Sequence, residues 1–167
     1  MNPLDLQNIT TVGIAACLGA ILGIEREIRG KPAGLRTHIF VCAGSALMMI
    51  LGHEIIEQFR MNEPSDVLRS DPIRVLQSIV VGISFLGAGT IVHDHHEGVE
   101  GLTTAATIYL TAGIGVATSV NRVGLAVAVT VSAFCILIII GFIERRVHRW
   151  HNKAIDKYHD PRHGGSC

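Results

Sequence analysis

The chain has 167 residues, which is enough for one domain. Its 14 basic and 14 acidic side chains balance, and this excludes the basic footprint of a nucleic-acid-binding protein. Hydrophobic residues make up 49 % of the chain and are gathered into five uncharged runs, which is typical of an integral membrane protein. The runs are 9–24, 39–51, 75–92, 102–120 and 123–143.

These runs predict an all-α bundle of five transmembrane helices. We expect a membrane domain over residues 1–147, followed by a basic, histidine-rich cytoplasmic tail over 148–167. The predicted helices cover residues 4–28, 32–59, 72–92, 101–120 and 123–146.

Small residues follow one face of the first helix at spacings of three and four. Small side chains let neighbouring membrane helices approach closely, so this face is predicted to pack and to direct the acid at its end toward a neighbouring helix rather than lipid. The series is Gly13, Ala16, Ala20, Gly23 and Glu27. Residues 1–10 carry Asp5 and no Lys or Arg, so a retained helix is expected rather than a cleaved signal peptide.

A segment dense in ionisable residues, E-R-E-I-R-G-K-P-A-G-L-R-T-H over 25–38, joins the first two runs. An ionisable group at membrane depth faces the bundle interior and finds a partner. We therefore predict a polar site on the cytoplasmic side, with Arg36 within hydrogen-bonding distance of Glu25 or Glu27. The alternative is that these charges only mark the membrane surface. The candidate residues are Glu25, Arg26, Glu27, Lys31, Arg36 and Thr37.

Pro32 suits the first turn of the second helix, because its missing N–H is not needed there. The exposed N–H groups of that turn, together with Lys31 and Arg36, make a candidate anion site. The competing interpretation is that Arg36 pairs with an acid across the hairpin and binds nothing else.

The third helix follows a polar connection that ends in the motif residues Asp71 and Arg74, on the extracytoplasmic side. Its glycines Gly82, Gly87 and Gly89 favour close helix packing. A locally broken helix that lines a polar cavity is the alternative.

The run H-D-H-H-E at 93–97 has side chains that ligate metals, but neighbouring side chains point apart, so loop polarity is favoured over a metal site. Four cysteines, at 17, 42, 135 and 167, lack metal or redox spacing and are expected to be small buried hydrophobes. No cofactor is expected, and the sequence leaves direct Mg²⁺ binding open.

Threonines at 104, 107, 111 and 118 share one face of the fourth helix. Their hydroxyls can bond carbonyls of their own helix or reach another helix. The fifth helix has no such polar face and is predicted to be peripheral. Most Lys and Arg lie in the first connection and the tail, so the positive-inside rule places the N-terminus outside and the C-terminus in the cytoplasm.

A short repeat links the second and fourth helices. A-G-L-R-T at 33–37 opens one, and E-G-L-T-T at 100–104, with Thr103 and Thr104, opens the other. We therefore predict two helical hairpins in a parallel repeat, followed by the fifth helix.

Four motifs in order, G-x-E-R-E…K-P-A-G-L-R-T-H, D-P-x-R-V, G-I-x-F-L-G-A-G-T-I and V-x-G-L-T-T-A-A-T, closely resemble the MgtC/SapB family of bacterial inner-membrane proteins. The resemblance spans about residues 4–143 and implies a five-helix membrane domain. Members are linked to growth in low magnesium, acid stress, survival in macrophages and restraint of the F-type ATP synthase. The soluble C-terminal domain of many members has no counterpart here. Residues that match the motifs are Glu25, Arg26, Lys31, Pro32, Gly34, Arg36, Thr37, Asp71, Arg74, Gly87 and Gly89.

The resemblance and the small-residue faces favour a non-enzymatic regulator that acts through a membrane-protein partner and forms a homodimer in the lipid bilayer. The alternative is an oligomeric transporter or channel for Mg²⁺, H⁺, K⁺ or a small anion. An enzyme is disfavoured, because no nucleophile–base pair or metal triad occurs at a usable spacing. The chain also lacks a G-x-x-x-x-G-K-[ST] nucleotide loop.

Overall fold

The computed structural model describes residues 3–62, 72–94 and 98–158, and within these residues the chain forms five helices. Four of them are long and apolar enough to cross a bilayer, and α3 is a shorter apolar helix of 17 residues. The all-α, five-helix fold predicted from the apolar runs is confirmed. The helices are α1 Pro3–Ile28, α2 Leu35–Asn62, α3 Pro72–Ala88, α4 Leu102–Ser119 and α5 Val123–Tyr158.

The helix ends differ from the predicted ones where local backbone bonds decide them. The N–H of Gly30 bonds the carbonyl of Glu27, the N–H of Lys31 bonds that of Arg26, and Gly30 has φ 62°. These two hydrogen bonds and the left-handed glycine end α1 and leave Pro32 in the turn. Helix α2 therefore begins at Leu35 rather than at residue 32. At the other end, α5 runs to Tyr158 instead of stopping at 146.

A short antiparallel pair of strands replaces the predicted end of the third helix. Strand β1 covers Val92–Asp94 and β2 covers Gly98–Glu100, with Val92 opposite Glu100. The helix ends at Ala88 because Gly89 and Thr90 close it with bonds to Phe85 and Gly87. Part of the H-D-H-H-E run, residues 95–97, and Asp71 lie outside the described residues, as does the tail beyond 158.

Three helices make the interior. Helices α1 and α2 pack along their lengths, and α4 packs against both, while α3 lies on α2 and α4 and α5 lies on α1 and α4. The larger core cluster consists of Ala15, Leu18, Leu22, Cys42, Ala46, Ile114, Ala126 and Ala133. The peripheral position predicted for α5 is confirmed, since only four of the 21 residues in its stretch Val123–Ile143 are buried.

Glycines bring the interior helices into backbone contact. A Cβ added to Gly19 would lie 2.5 Å from the carbonyl oxygen of His38, and one added to Gly23 would lie 2.7 Å from the Cα of Leu35. A Cβ on Gly115 would overlap the carbonyl of Cys42. Small residues at these crossings therefore set the spacing of α1, α2 and α4.

The buried face of α1 follows the predicted stripe only in part. Gly23 is buried and Ala16 and Ala20 are half-buried, but Gly13 and Glu27 are exposed. Because α1 packs against both α2 and α4, its buried face is broader than one row of small residues and lies between the two neighbours.

The glycines of α3 have separate roles. Gly87 is buried, and a Cβ placed on it would lie 3.6 Å from the Cβ of Ala105, as close packing predicts, whereas nothing lies within 4 Å of a Cβ placed on Gly82. Gly89 belongs to the turn after the helix. Because α3 is continuous through Gly82 and Gly87, the alternative of a broken helix is wrong.

The two repeat motifs occupy matching places. Helix α2 begins at Leu35 and α4 at Leu102, which are the leucines of A-G-L-R-T and E-G-L-T-T. Each helix receives a buried glycine of the preceding helix near its start, Gly23 on Leu35 and Gly87 on Ala105. The hairpins α1–α2 and α3–α4 therefore share one plan, and their motifs meet at one end of the bundle, which we call the polar end.

Candidate functional site

A buried ion cluster lies at the polar end, where α1 ends and α2 and α4 begin. The side chains of Glu25 and Arg26 are only 6 % and 4 % exposed. The Glu25 carboxylate pairs with the Arg26 guanidinium at 3.7 Å and, through its other oxygen, with Nε of Arg29 one turn later. Charged groups at membrane depth need such partners, so the cluster is a structural unit of the bundle interior.

Arg26 also joins the two hairpins. Its Nη2 donates to Oγ1 of Thr104 on α4 over 3.4 Å, between residues 78 positions apart. Thr104 is itself buried in the first turn of α4. The end of α1 is therefore in contact with the E-G-L-T-T motif of the second hairpin through one side-chain hydrogen bond.

His38 is fully buried on α2, next to Gly19 and Gly23 of α1. Its Nδ1 lies 2.9 Å from the carbonyl of Gly34, and in the part of the chain that the structure describes Nε2 has no hydrogen-bond partner. His38 is the last residue of the ionisable segment, but it was not among the residues predicted for the polar site. The sequence feature that indicates its burial is a spacing of four residues from both Gly34 and Cys42. This spacing puts His38 on the packed face of α2.

Glu27 caps the second helix from outside. Its Oε2 accepts the backbone N–H of Leu35 at 2.9 Å, and its carboxylate occupies the place that a side chain on Gly34 would take. Glu25 and Glu27 are two residues apart, or about 200° around a helix, so they point to opposite sides. Glu27 is exposed, but its carboxylate contacts the neighbouring helix α2, as the stripe of α1 predicts.

The prediction that Arg36 pairs with Glu25 or Glu27 is wrong. Arg36 is exposed in the first turn of α2, and within the described ranges it makes no ion pair. Glu25 is held by Arg26 and Arg29, and Glu27 by the N–H of Leu35. The same cap means that the N-terminus of α2, predicted as an anion site, already receives a carboxylate of the protein itself.

A cavity of about 340 Å³ lies between the end of α1 with the turn that follows it and the start of α4, and we call it the junction cavity. It combines a guanidinium, an ammonium, hydroxyls and one carboxylate, so it has the chemistry to bind a small polar or charged ligand. Of the predicted residues it includes Arg26, Lys31, Pro32, Thr103 and Thr104, while Thr37 is half-buried on α2 and is not part of its wall. Its other walls are Thr90, Val99, Glu100, Gly101 and Leu102.

The opposite end of the bundle carries a shallower polar region. Nδ2 of Asn8 donates to Oε1 of Glu54 at 2.6 Å between exposed side chains, beside a cavity of about 530 Å³ that includes Gln7 and His53. Arg74 is exposed at the start of α3, on this side, and is not brought to the polar end.

The threonine face of α4 does not form a polar path between the two ends. Thr107, Thr111 and Thr118 donate to carbonyls of their own helix at 2.7–2.9 Å. Of the two interpretations of this face, own-helix bonding is therefore correct for these three residues, and Thr104 alone is seen reaching another helix.

No group of three or more His, Cys, Asp or Glu side chains that could hold a metal occurs in residues 3–62, 72–94 and 98–158. Glu25 is the buried carboxylate of the cluster, and two arginines already occupy its oxygens.

Comparison with known proteins agrees with the motifs. A family model described as the MgtC family matches residues 12–146. An uncharacterised protein of Haemophilus influenzae is 33 % identical over 157 residues, covering 94 % of this chain and 65 % of the relative. Protein MgtC of Salmonella typhimurium is 36 % identical over 135 residues (81 % and 53 %). A "putative magnesium transporter YhiD" of Escherichia coli is 42 % identical over 102 residues (61 % and 46 %).

The chain spans about half to two thirds of the length of these curated relatives. No solved structure matches it.

Proposed function

The chain belongs to the MgtC family, and on that premise we propose that it is a non-enzymatic membrane regulator that acts by binding another membrane protein. The observation that carries this proposal is the closed interior. Glycine-mediated backbone contacts join α1, α2 and α4, and three threonines in the middle and end of α4 bond their own helix. A bundle of this kind presents surfaces to neighbours more readily than it opens a path for an ion.

The surface that we propose for the partner is a groove between α2 and α3. It measures about 320 Å³ and is lined by Gly44, Ser45 and Gly82 together with apolar side chains. A Cβ on Gly44 or Gly82 would meet nothing within 4 Å, so both glycines offer room for a helix from another chain. Outward-facing small residues are what membrane helices use to associate.

The occupant that we propose first is a second copy of this chain, and the F-type ATP synthase is the further partner suggested by the family resemblance. The proposed setting is a bacterial inner membrane, with the N-terminus outside and the polar end in the cytoplasm. In this orientation the buried ion cluster and the junction cavity both lie on the cytoplasmic side of the membrane.

Disulfide crosslinking in native membranes tests the groove. Gly82→Cys, in a background with Cys17, Cys135 and Cys167 replaced by Ala, should give a crosslinked dimer. The adjacent exposed position Val81→Cys is the matched control and should not. Gly82→Leu should fill the groove and reduce dimer or partner recovery, whereas Val81→Leu should leave it unchanged. Equal crosslinking at both positions, or none at Gly82, would reject this surface.

A magnesium transporter is the second candidate. It is favoured by the name of the Escherichia coli relative and by polar cavities at both ends of the bundle. Purified protein in liposomes separates the two functions directly. Uptake of Mg²⁺ that is abolished by Glu25→Gln, in protein that remains folded, would replace the regulator proposal, and absence of flux would support it.

A further inference from the structure

A second cavity at the polar end lies between α1 and α5 and has a volume of about 480 Å³. We call it the α1–α5 cavity. This cavity is separate from the groove between α2 and α3 that we propose for the partner. Its walls are of two kinds, an apolar stripe along the helices and a group of charged side chains at one end.

The apolar wall runs along the membrane. Ile24 and Ile28 are one turn apart on α1, and Phe134 and Ile138 are one turn apart on α5. Ile28 and Ile138 are exposed toward the bilayer, so the cavity is open on its lipid side. An apolar space of this kind is poorly suited to water and matches a hydrocarbon chain.

The charged end contains two cations and one carboxylate, from Arg29, Lys31 and Glu25. The Arg29 side chain is only 17 % exposed and is held between Glu25 and α5. It fits there because residue 141 is glycine, and a Cβ at that position would coincide with the guanidinium. Gly141 interrupts the isoleucine-rich part of α5. Because glycine has no side chain, this position of α5 leaves room for the Arg29 guanidinium.

The balance of charge in the cavity is positive. Glu25 divides its carboxylate between Arg29 and Arg26, which lies outside this cavity. Lys31 is exposed and makes no ion pair among the residues that the structure describes. An anion at this end would therefore meet a guanidinium and an ammonium at the level of the lipid headgroups.

We infer that the α1–α5 cavity binds an anionic phospholipid. The phosphate lies at Lys31 and Arg29, and an acyl chain follows Ile24, Phe134 and Ile138. Basic pockets between transmembrane helices attract anionic headgroups, and guanidinium groups bind phosphate through strong charge-assisted bonds. A free phosphate would use only the charged end and leave the apolar wall bare, so the shape of the whole cavity selects a lipid.

Native mass spectrometry of the full chain in detergent, with phosphatidylglycerol or phosphatidylcholine of identical acyl chains, tests the inference. We expect one phosphatidylglycerol to be retained per chain and phosphatidylcholine to be lost. Lys31→Gln should weaken phosphatidylglycerol binding about fivefold, because one cation near the headgroup is removed. Arg146→Gln, which removes an exposed cation of α5 outside the cavity, is the control and should leave binding unchanged.

A second pair of variants tests the apolar wall. Ile138→Trp should fill the cavity and displace the lipid, whereas Ile139→Trp, on the exposed neighbouring position, should not. Lys31 is exposed, so Lys31→Gln leaves folding intact and decides the question even where a tryptophan variant fails to fold.

Equal retention of the two lipids would overturn the inference, as would unchanged binding in Lys31→Gln. Inorganic phosphate that competes with phosphatidylglycerol at equal concentration would also overturn it, because the site would then bind a free anion.

Discussion

Helices α4 and α5 show that apolarity and burial are separate properties in this molecule. The stretch of α5 from Val123 to Ile143 is the more apolar of the two, yet only four of its 21 residues are buried, against eight of the 18 residues of α4. Helix α4 carries Thr104, Thr111 and Gly115 on its packed face, whereas α5 presents isoleucines outward. Since lipid tails are as apolar as leucine, membrane helices are held together by close packing and polar contacts rather than by hydrophobicity.

The largest expected difference between packed and exposed positions is that between a buried and an exposed carboxylate. Glu25→Ala removes the acid that Arg26 and Arg29 share and should destabilise the protein by about 3–5 kcal/mol, because two guanidinium groups lose their partner. Glu54→Ala, which removes an exposed acceptor of Asn8, should cost about 0–1 kcal/mol. The free energy of unfolding in detergent measures both, and similar losses would break the comparison.

A pair of apolar truncations separates interior from periphery. Leu22→Ala opens a cavity among α1, α2 and α4 and should cost about 2–5 kcal/mol. Ile139→Ala on the lipid face of α5 should change stability by about 0.5 kcal/mol or less, because lipid or detergent replaces the lost contacts. Thermal unfolding monitored by circular dichroism gives the difference. A large loss for Ile139→Ala would show that α5 is packed against something on that face.

Two glycines of α4 should respond with opposite signs to the same substitution. Gly115→Ala places a methyl group against the carbonyl of Cys42 and should cost about 1–3 kcal/mol. Gly113→Ala meets nothing within 4 Å and should be neutral or stabilising by up to about 1 kcal/mol, since alanine favours the helix. Unfolding in graded dodecyl sulfate is a suitable measurement. Losses of the same size at both positions would contradict the backbone contact.

The smallest expected difference lies between two buried threonines. Thr104→Val loses the hydroxyl that accepts from Arg26 and should cost about 1 kcal/mol, given the 3.4 Å distance. Thr111→Val loses only a bond to the carbonyl of Thr107 in its own helix and should stay within about 0.5 kcal/mol. Stability of both variants measured side by side sharpens the distinction between a contact that joins helices and one that does not.

The sequence by itself determined the class of protein, the number and order of the helices, and the position of the dense ionisable segment between the first two helices. It also predicted that α5 is peripheral, and it matched the segments in which α2 and α4 begin. These features follow from the bilayer as a solvent, since uncharged runs of sufficient length must cross it as helices.

Only the tertiary structure decided which charged groups meet. The choice of Arg26 and Arg29 as partners of Glu25, the capping of α2 by Glu27, and the exposure of Arg36 depend on how each helix is rotated about its axis. The burial of His38 and the place of Arg29 against Gly141 depend on how closely the helices cross. Rotation and crossing are set by contacts between residues distant in the chain, such as Gly115 with Cys42, and local residue patterns carry no record of them.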